Sequence, residues 1–284
     1  MKQQHINSQE EDMEKIIVQI YEVQGPGEAE RLIDLGVDHI GSVILDRENW
    51  CDPAIREVVR LTAGTPAKSS LIPLFSAEEE VFRVLDYYEP DIIHFCEYMP
   101  VSGGNHAEIY EHIRNYLILQ QNIRNRYPGI EIMRSLPLPR TAAASAMISP
   151  HAIRNGIAAL VAAFGPVSDF FMTDTVLGIQ DGAGKETEQP VDGFVGITGE
   201  TCDWDVAAWL VEISPLPVIL AGGLSPKNAF AALARVRPAG VDSCTRTNAL
   251  DPRGMPVRFH KDFQRVQRLV AEVRRVEKTC KGEL

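Results

Sequence analysis

Two hydrophobic periods alternate along the chain. Short runs rich in Val, Ile, Leu and Phe, apolar at nearly every position, are separated by longer segments whose apolar residues recur every three or four positions. The first pattern predicts strands buried on both faces, and the second predicts amphipathic helices. Strands are expected at 16–23 (IIVQIYEV), 39–45 (HIGSVIL), 67–75 (AKSSLIPLF), 91–97 (DIIHFCE), 130–138 (IEIMRSLPL), 169–176 (DFFMTDTV), 217–224 (PVILAGGL) and 240–246 (GVDSCTR). Helices are expected at 27–36, 52–64, 76–89, 105–127, 149–165, 203–214, 225–237 and 260–278. Several begin with a capping residue followed by proline or an acid, as in Asp52-Pro53, Ser76-Ala77-Glu78-Glu79, Ser149-Pro150 and Ser225-Pro226.

Eight strand-helix units in strict alternation predict an α/β protein, a single-domain (β/α)₈ TIM barrel over 15–284, behind a disordered polar tail at 1–14. In such barrels chemistry sits at the carboxyl ends of the strands. The candidates there are Tyr21, Glu22, Asp46, Arg47, Glu97, Arg134, Asp174, Gly222, Gly223, Asp242 and Arg246. The connection at 177–201 is long, polar and glycine-rich; a lid and a merely mobile insertion both fit it.

Of the 284 residues, 45% are hydrophobic and 24% charged, enough to build a large core. A net charge of −11 argues against nucleic-acid and anionic-membrane partners, which select basic surfaces. A small anionic substrate remains compatible, held locally by backbone amides or a few arginines, as does a homo-oligomer. The five cysteines have no CxxC or paired Cys/His spacing, so neither a disulfide framework nor a zinc site is expected. The opening MKQQHINSQEEDMEK has no apolar leader region, and no apolar run reaches transmembrane length, so a cytoplasmic protein is expected.

In PVILAGGLSPKNAF (217–230) paired glycines stand where a strand gives way to a helix start. Glycine there lets a ligand approach the backbone closely, and the free N–H groups of a first helical turn suit an anion. A tight turn needing positive φ leaves the same letters. Glu22, His94, Glu97, Arg134 and Asp174 are placed to converge in the barrel mouth; they fit satisfied ion pairs or a metal, and without an HExxH-like spacing no metal is assigned. Cys96 and Cys244 lie near strand ends, as nucleophiles or as small buried hydrophobes.

Together GITGETCDW (196–204), LAGGLSPKNAFAALARVRPAGVD (220–242) and GVDSCTR (240–246) resemble the last third of the phosphoribosylanthranilate isomerase family, barrels of tryptophan biosynthesis. AERLIDLGVDHIGSVI (29–44), NWCDPAIR (49–56), DIIHFCE (91–97) and MTDT (172–175) are similar to earlier segments of that family. The resemblance implies an Amadori rearrangement of an N-linked ribose 5-phosphate without a cofactor, in which an acid protonates the ring oxygen and a base removes the C2 proton. It implies that Asp174 is the acid. At the family's KICG motif this chain has Gln19-Ile20-Tyr21-Glu22, so Tyr21 stands in place of the basic cysteine and Glu22 in place of the glycine. Tyrosine near its reference pKa of about 10 is a weak base at neutral pH, whereas Glu22 has suitable basicity if the backbone turns at the strand end.

The resemblance further implies substrate holding by Gly199, Gly222, Gly223 and Asp242, with Arg246 where the family's last glycine loop binds phosphate. Asn49 matches the family's carboxylate-binding arginine; Arg47, two residues earlier, fits either that role or a solvated surface arginine, and Arg134 is a further substrate-binding candidate. Two functions follow. One is an isomerase-like enzyme using acid/base catalysis on a small phosphorylated or carboxylated sugar-like substrate; the other is a barrel that has lost catalysis and serves in ligand binding or assembly.

Overall fold

The computed structural model describes residues 15–101, 106–140, 149–177 and 193–280; the expected tail at 1–14 and most of the expected loop at 177–201 lie outside the described residues. Eight parallel strands close in sequence order: β1 (Ile17–Ile20), β2 (His39–Ile44), β3 (Lys68–Pro73), β4 (Ile92–Phe95), β5 (Glu131–Pro139), β6 (Phe170–Val176), β7 (Val218–Leu220) and β8 (Gly240–Ser243). The intervening and final helices are α1 (Pro26–Asp34), α2 (Pro53–Thr62), α3 (Glu78–Tyr88), α4 (His106–Arg126), α5 (Pro150–Phe164), α6 (Trp204–Ile213), α7 (Ala229–Val236) and α8 (Phe263–Cys280). This is the (β/α)₈ barrel that the alternation predicts.

The two faces of the wall divide the apolar residues. Val43, Ile72, Ile92, Met133, Met172 and Ile219 belong to the cluster inside the barrel. A larger cluster, with Val18, Ile20, Ile40, Leu136, Phe171 and Val241, fills the layer between wall and helices. Because side chains alternate along a strand, this division sets which polar residues look inward. On α2 the buried side chains are Ile55, Val58, Val59 and Thr62, spaced by three and four. All four are β-branched, so propensity does not favour this helix; burial does, at about 1.5–3 kcal/mol for each fully buried aliphatic side chain.

Three aspartates staple the amino-terminal end of the barrel. Asp38, Asp91 and Asp169 each accept a backbone N–H from the preceding strand, from Val18 at 2.8 Å, Ser69 at 2.7 Å and Ile132 at 2.8 Å. Arg274 of α8 donates to Asp38 at 2.8 Å, joining the last helix to the first strand. These charge-assisted bonds satisfy N–H groups at a strand edge that the ladder leaves open.

The sequence and structure differ in three local places. Asp52 and Ser149 cap α2 and α5 as expected, but Ser76 does not cap α3, whose first turn instead carries Glu78, Glu79 and Glu80 at the positive end of the helix dipole. The expected helix start at Ser225 moves to Ala229: the Asn228 side chain accepts the Ser225 N–H at 2.7 Å and holds 225–228 as a turn. The segment before α8 forms an unexpected antiparallel hairpin, β9 (Asn248–Leu250) and β10 (Pro256–Lys261). Its turn is held by the Asp251 carboxylate, which accepts from the N–H groups of Arg253 at 2.9 Å and Met255 at 2.8 Å. Among the described residues no helix is long and apolar enough to cross a membrane.

Candidate active site

A line of buried polar side chains crosses the barrel beneath its mouth. The Tyr21 hydroxyl of β1's end lies 2.6 Å from Ser70 Oγ on β3 and 2.7 Å from His94 Nδ1 on β4. His94 Nε2 lies 2.8 Å from Ser135 Oγ on β5, and Ser135 donates to Asp174 Oδ2 on β6 at 2.6 Å. Burial and the Arg134 charge hold His94 down to about 3, so its imidazole is neutral. A neutral ring has one donor and one acceptor nitrogen, which orders the whole chain of bonds. With Ser135 donating to Asp174, Nε2–H donates to Ser135, Tyr21 donates to Nδ1 and Ser70 donates to Tyr21. Gly41 on β2 makes room for this: a Cβ there would clash with the Tyr21 ring.

Asp174 is the end of that line and the start of the open site. Burial pushes its carboxyl up to about 7, against the Ser135 hydrogen bond, which lowers it. Asp242, on β8, is likewise pushed up to about 7, first by burial and then by the Asp174 charge; the Gln19 bond and Lys261 oppose the rise. Gln19 Nε2 donates to Asp242 Oδ1 at 3.3 Å. Asp174 and Asp242 both line two small adjoining cavities. One, of about 50 Å³, is walled by Tyr21, Val43, Ile72, Met172 and Phe194. The other, of about 40 Å³, lies among Gly199, Gly222, Gly223, Ser243, Thr245 and Arg246. A mostly apolar chamber thus adjoins one made of glycine loops and an arginine, with two carboxyls shared between them.

The glycines answer to backbone geometry and to close approach together. Gly222 has φ 101°, Gly223 φ 56° and Gly199 φ 66°. A Cβ on Gly222 would clash with Thr175 Oγ1, and one on Gly223 would meet the Gly199 carbonyl at 2.8 Å. What comes close is the 199–202 segment itself, which Thr175 also holds by donating to the Glu200 carbonyl at 2.9 Å. Gly196 serves the same end, since its Cβ would meet Asp174 Oδ1 at 2.9 Å. Arg246 donates through Nε at 3.0 Å and Nη2 at 2.7 Å to the Gly199 carbonyl. Its forked edge therefore clamps the turn after β8 to the Gly199 loop across the cavity it lines.

Three further sequence candidates lie in other settings. Glu22 does turn at the strand end, with φ 64°, but its carboxylate is engaged by Arg258 of β10 at 2.6 Å and by Asn248 at 3.3 Å. Arg47 is largely exposed and faces Glu80 at 3.9 Å, away from both cavities. Arg134 is turned outward: Met133 and Ser135 occupy the inward positions of β5, so the period of two sends Arg134 into the wall-helix layer. There it is fully buried, ion-paired with Glu97, bonded to Gln120 at 2.8 Å and set over the rings of Phe95, Tyr116 and Phe164. The expected convergence of Glu97 and Arg134 on the mouth is therefore corrected. Both belong to the wall. Asp46 is exposed and accepts from the Glu48 N–H at 2.8 Å, holding the β2-α2 turn.

Sequence reasoning passed over Ser70, Ser135 and the Arg258 hairpin. Alternation along KSSLIP and EIMRSLPLP separates Ser70 and Ser135 from their neighbours by face, but only the closed barrel shows that theirs is the inner face beside His94. The hairpin had its own signal in Asp251-Pro252-Arg253-Gly254, a turn sequence between two β-rich runs.

A family model described as N-(5'phosphoribosyl)anthranilate (PRA) isomerase matches residues 179–245, the segment that carries the glycine loops, Asp242 and Cys244. The N-(5'-phosphoribosyl)anthranilate isomerase 1 of Methanosarcina mazei is 24% identical over 181 residues, 62% of this chain and 69% of that protein. That of Haloferax volcanii is 40% identical over 84 residues, 30% of this chain and 32% of its own. The chain is similar to the phosphoribosylanthranilate isomerase family. The phosphoribosylanthranilate isomerase structure from Thermotoga maritima shares the fold, with a TM-score of 0.62 at 15% identity, covering 91% of this chain and 98% of that one. Tyr21 lies outside the segment matched by the family model.

Proposed function

We propose that this chain is a phosphoribosylanthranilate isomerase in which Asp174 is the proton donor. The observation that carries the reading is Asp174 itself: a fully buried carboxyl, pushed up to about 7, at the junction of two cavities and at the strand position of the family's acid. A carboxyl titrating near the working pH is protonated often enough to donate to a ring oxygen and ionised often enough to be reloaded. The cavity between Gly199, Gly222, Gly223 and Arg246 would receive the phosphate through loop amides and the arginine. The apolar chamber by Val43, Ile72 and Phe194 would receive the aromatic ring.

Loss of catalysis is the second reading, and the locked environment of Tyr21 favours it: its hydroxyl is committed to Ser70 and His94, and burial raises it well above 10. Turnover of phosphoribosylanthranilate by the purified protein separates the two. The expected result is measurable wild-type isomerisation, lost by about 10²–10⁴-fold in Asp174→Asn with the melting transition retained. Full activity in Asp174→Asn would remove this residue from the mechanism. No activity in the wild type, together with failure to complement a strain lacking the isomerase, would leave the binding reading.

A further inference from the structure

The family's second proton-transfer group is missing from β1, and the structure offers a replacement on the opposite side of the same cavity. We propose that Asp242 is the base that removes the C2 proton; this rests on the isomerase reading above. The titratable groups lining the apolar chamber are Tyr21, Glu22, Cys96, Asp174, Asp242 and Cys244. Four of them are engaged or set against ionisation. Tyr21 donates into the His94 line, and Glu22 is held by Arg258 and Asn248. Cys96 and Cys244 are thiols whose burial in apolar surroundings disfavours the thiolate. His94, beneath the chamber, has both ring nitrogens within hydrogen-bond distance of Tyr21 or Ser135. Asp174 and Asp242 remain, and among the described residues these two carboxyls line both cavities.

Their surroundings also divide the two roles. Asp174 accepts the Ser135 hydroxyl proton and stands beneath Gly196, where both cavities open. Asp242 is held by a neutral donor, Gln19, and has the Lys261 ammonium of β10 acting on it from the β8 side. Two coupled buried carboxyls share one proton more readily than they hold none or two. In the proposed cycle the shared proton starts on Asp174, where the ring oxygen takes it, and the negative charge on Asp242, which the Lys261 charge favours.

The steps then balance. Asp174 gives its proton to the ring oxygen as the C1–O bond breaks and the nitrogen lone pair closes a C1=N bond. The Asp242 carboxylate takes the C2 proton; that bond's electrons form C1=C2 and the nitrogen recovers its pair. In the final tautomerisation Asp242 returns its proton to C1, and the C2 hydroxyl proton passes to Asp174 as the ketone forms. Both carboxyls end as they began.

The test is Asp242→Asn in the full-length protein, with phosphoribosylanthranilate as substrate, beside wild type and Asp174→Asn. Asn can still accept the Gln19 bond, so folding is expected to survive. The expected result is a loss of about 10²–10⁴-fold in kcat with KM changed by less than about threefold, and partial recovery in Asp242→Glu. A wild-type kcat that falls with C2-deuterated substrate, and a pH profile whose acid limb disappears in Asp242→Asn, complete the expectation. The groups facing Asp242 across that titration are Asp174, Gln19, Lys261, Tyr21, Glu22 and Cys244. An active wild type with Asp242→Asn within about threefold of it would overturn the proposal and leave the isomerase reading standing. A wild type that does not turn the substrate over would overturn both. Should Asp242→Asn fail to fold, Asp242→Ser is judged by the same two outcomes.

Discussion

At the scale of single residues, the behaviour of Asp174 depends on what its neighbours donate. Ser135 lowers the Asp174 pKa by donating to the ionised carboxylate, while burial raises it. Removing the hydroxyl in Ser135→Ala leaves burial unopposed, so the carboxyl holds its proton to higher pH. The basic limb of the kcat profile is expected to move up by roughly 0.5–1 pH unit, reflecting the loss of one hydrogen bond to a charged group. An unmoved limb would show that Ser135 does not tune this group. Asp174 and Asp242 were visible in sequence because both end strands with acidic residues after apolar ones. The line from Ser70 to Asp174 was not, since its members lie on five strands and no local spacing joins them.

At the scale of elements, two connections shape the mouth. The pair at Gly222 and Gly223 joins β7 to its turn in left-handed backbone, against a segment that leaves no room for a side chain. Gly222→Ala brings both backbone strain and a clash with Thr175 Oγ1, so a loss of about 1–3 kcal/mol is expected, read as a lower urea midpoint. The β9-β10 hairpin carries the cation that neutralises Glu22, a residue buried to 1% exposure. Arg258→Met removes the cation paired with that carboxylate. Because Arg258 itself is 40% exposed, the expected destabilisation is about 1–3 kcal/mol, below that of a fully buried pair, and is checked in the same denaturation experiment. The eight strands and the helix faces followed from hydrophobic period, but the α7 start did not. A Ser-Pro pair signals a cap, whereas the Asn228 side chain three residues on captured the Ser225 amide first.

For the whole molecule, the two raised carboxyls tie stability to pH. Each has a folded pKa of about 7 against 3.8 in model peptides. Between about pH 4 and pH 7 the folded state therefore holds protons that the unfolded chain has lost. Unfolding free energy is expected to fall as pH rises through that window and to level above it. Asp174→Asn removes one of these protons, so the variant is expected to be more stable than wild type at pH 8 by on the order of 2–4 kcal/mol, with the difference vanishing below about pH 4. Urea unfolding at both pH values measures this. A variant less stable at pH 8 would show that the Asp174 carboxylate is better accommodated than its burial implies.

By itself the sequence determined the barrel and the strand ends at which to look, because periods of 2 and 3.6 are local properties of the chain and each element is short enough to show its own. It also marked the paired glycines at 222 and 223 as a junction built for ligand approach or for a tight turn, and the structure then showed positive φ and missing space there together. Only the tertiary structure decided which polar residues serve the mouth. One step along β5 separates Ser135, beside Asp174, from Arg134, sealed in the outer wall, and sequence shows the step but not which face is inside. Only the closed barrel, too, brought Asp174 and Asp242 into one low-dielectric space. A carboxyl's proton affinity there is set by burial and by charges on other strands, which no stretch of sequence contains.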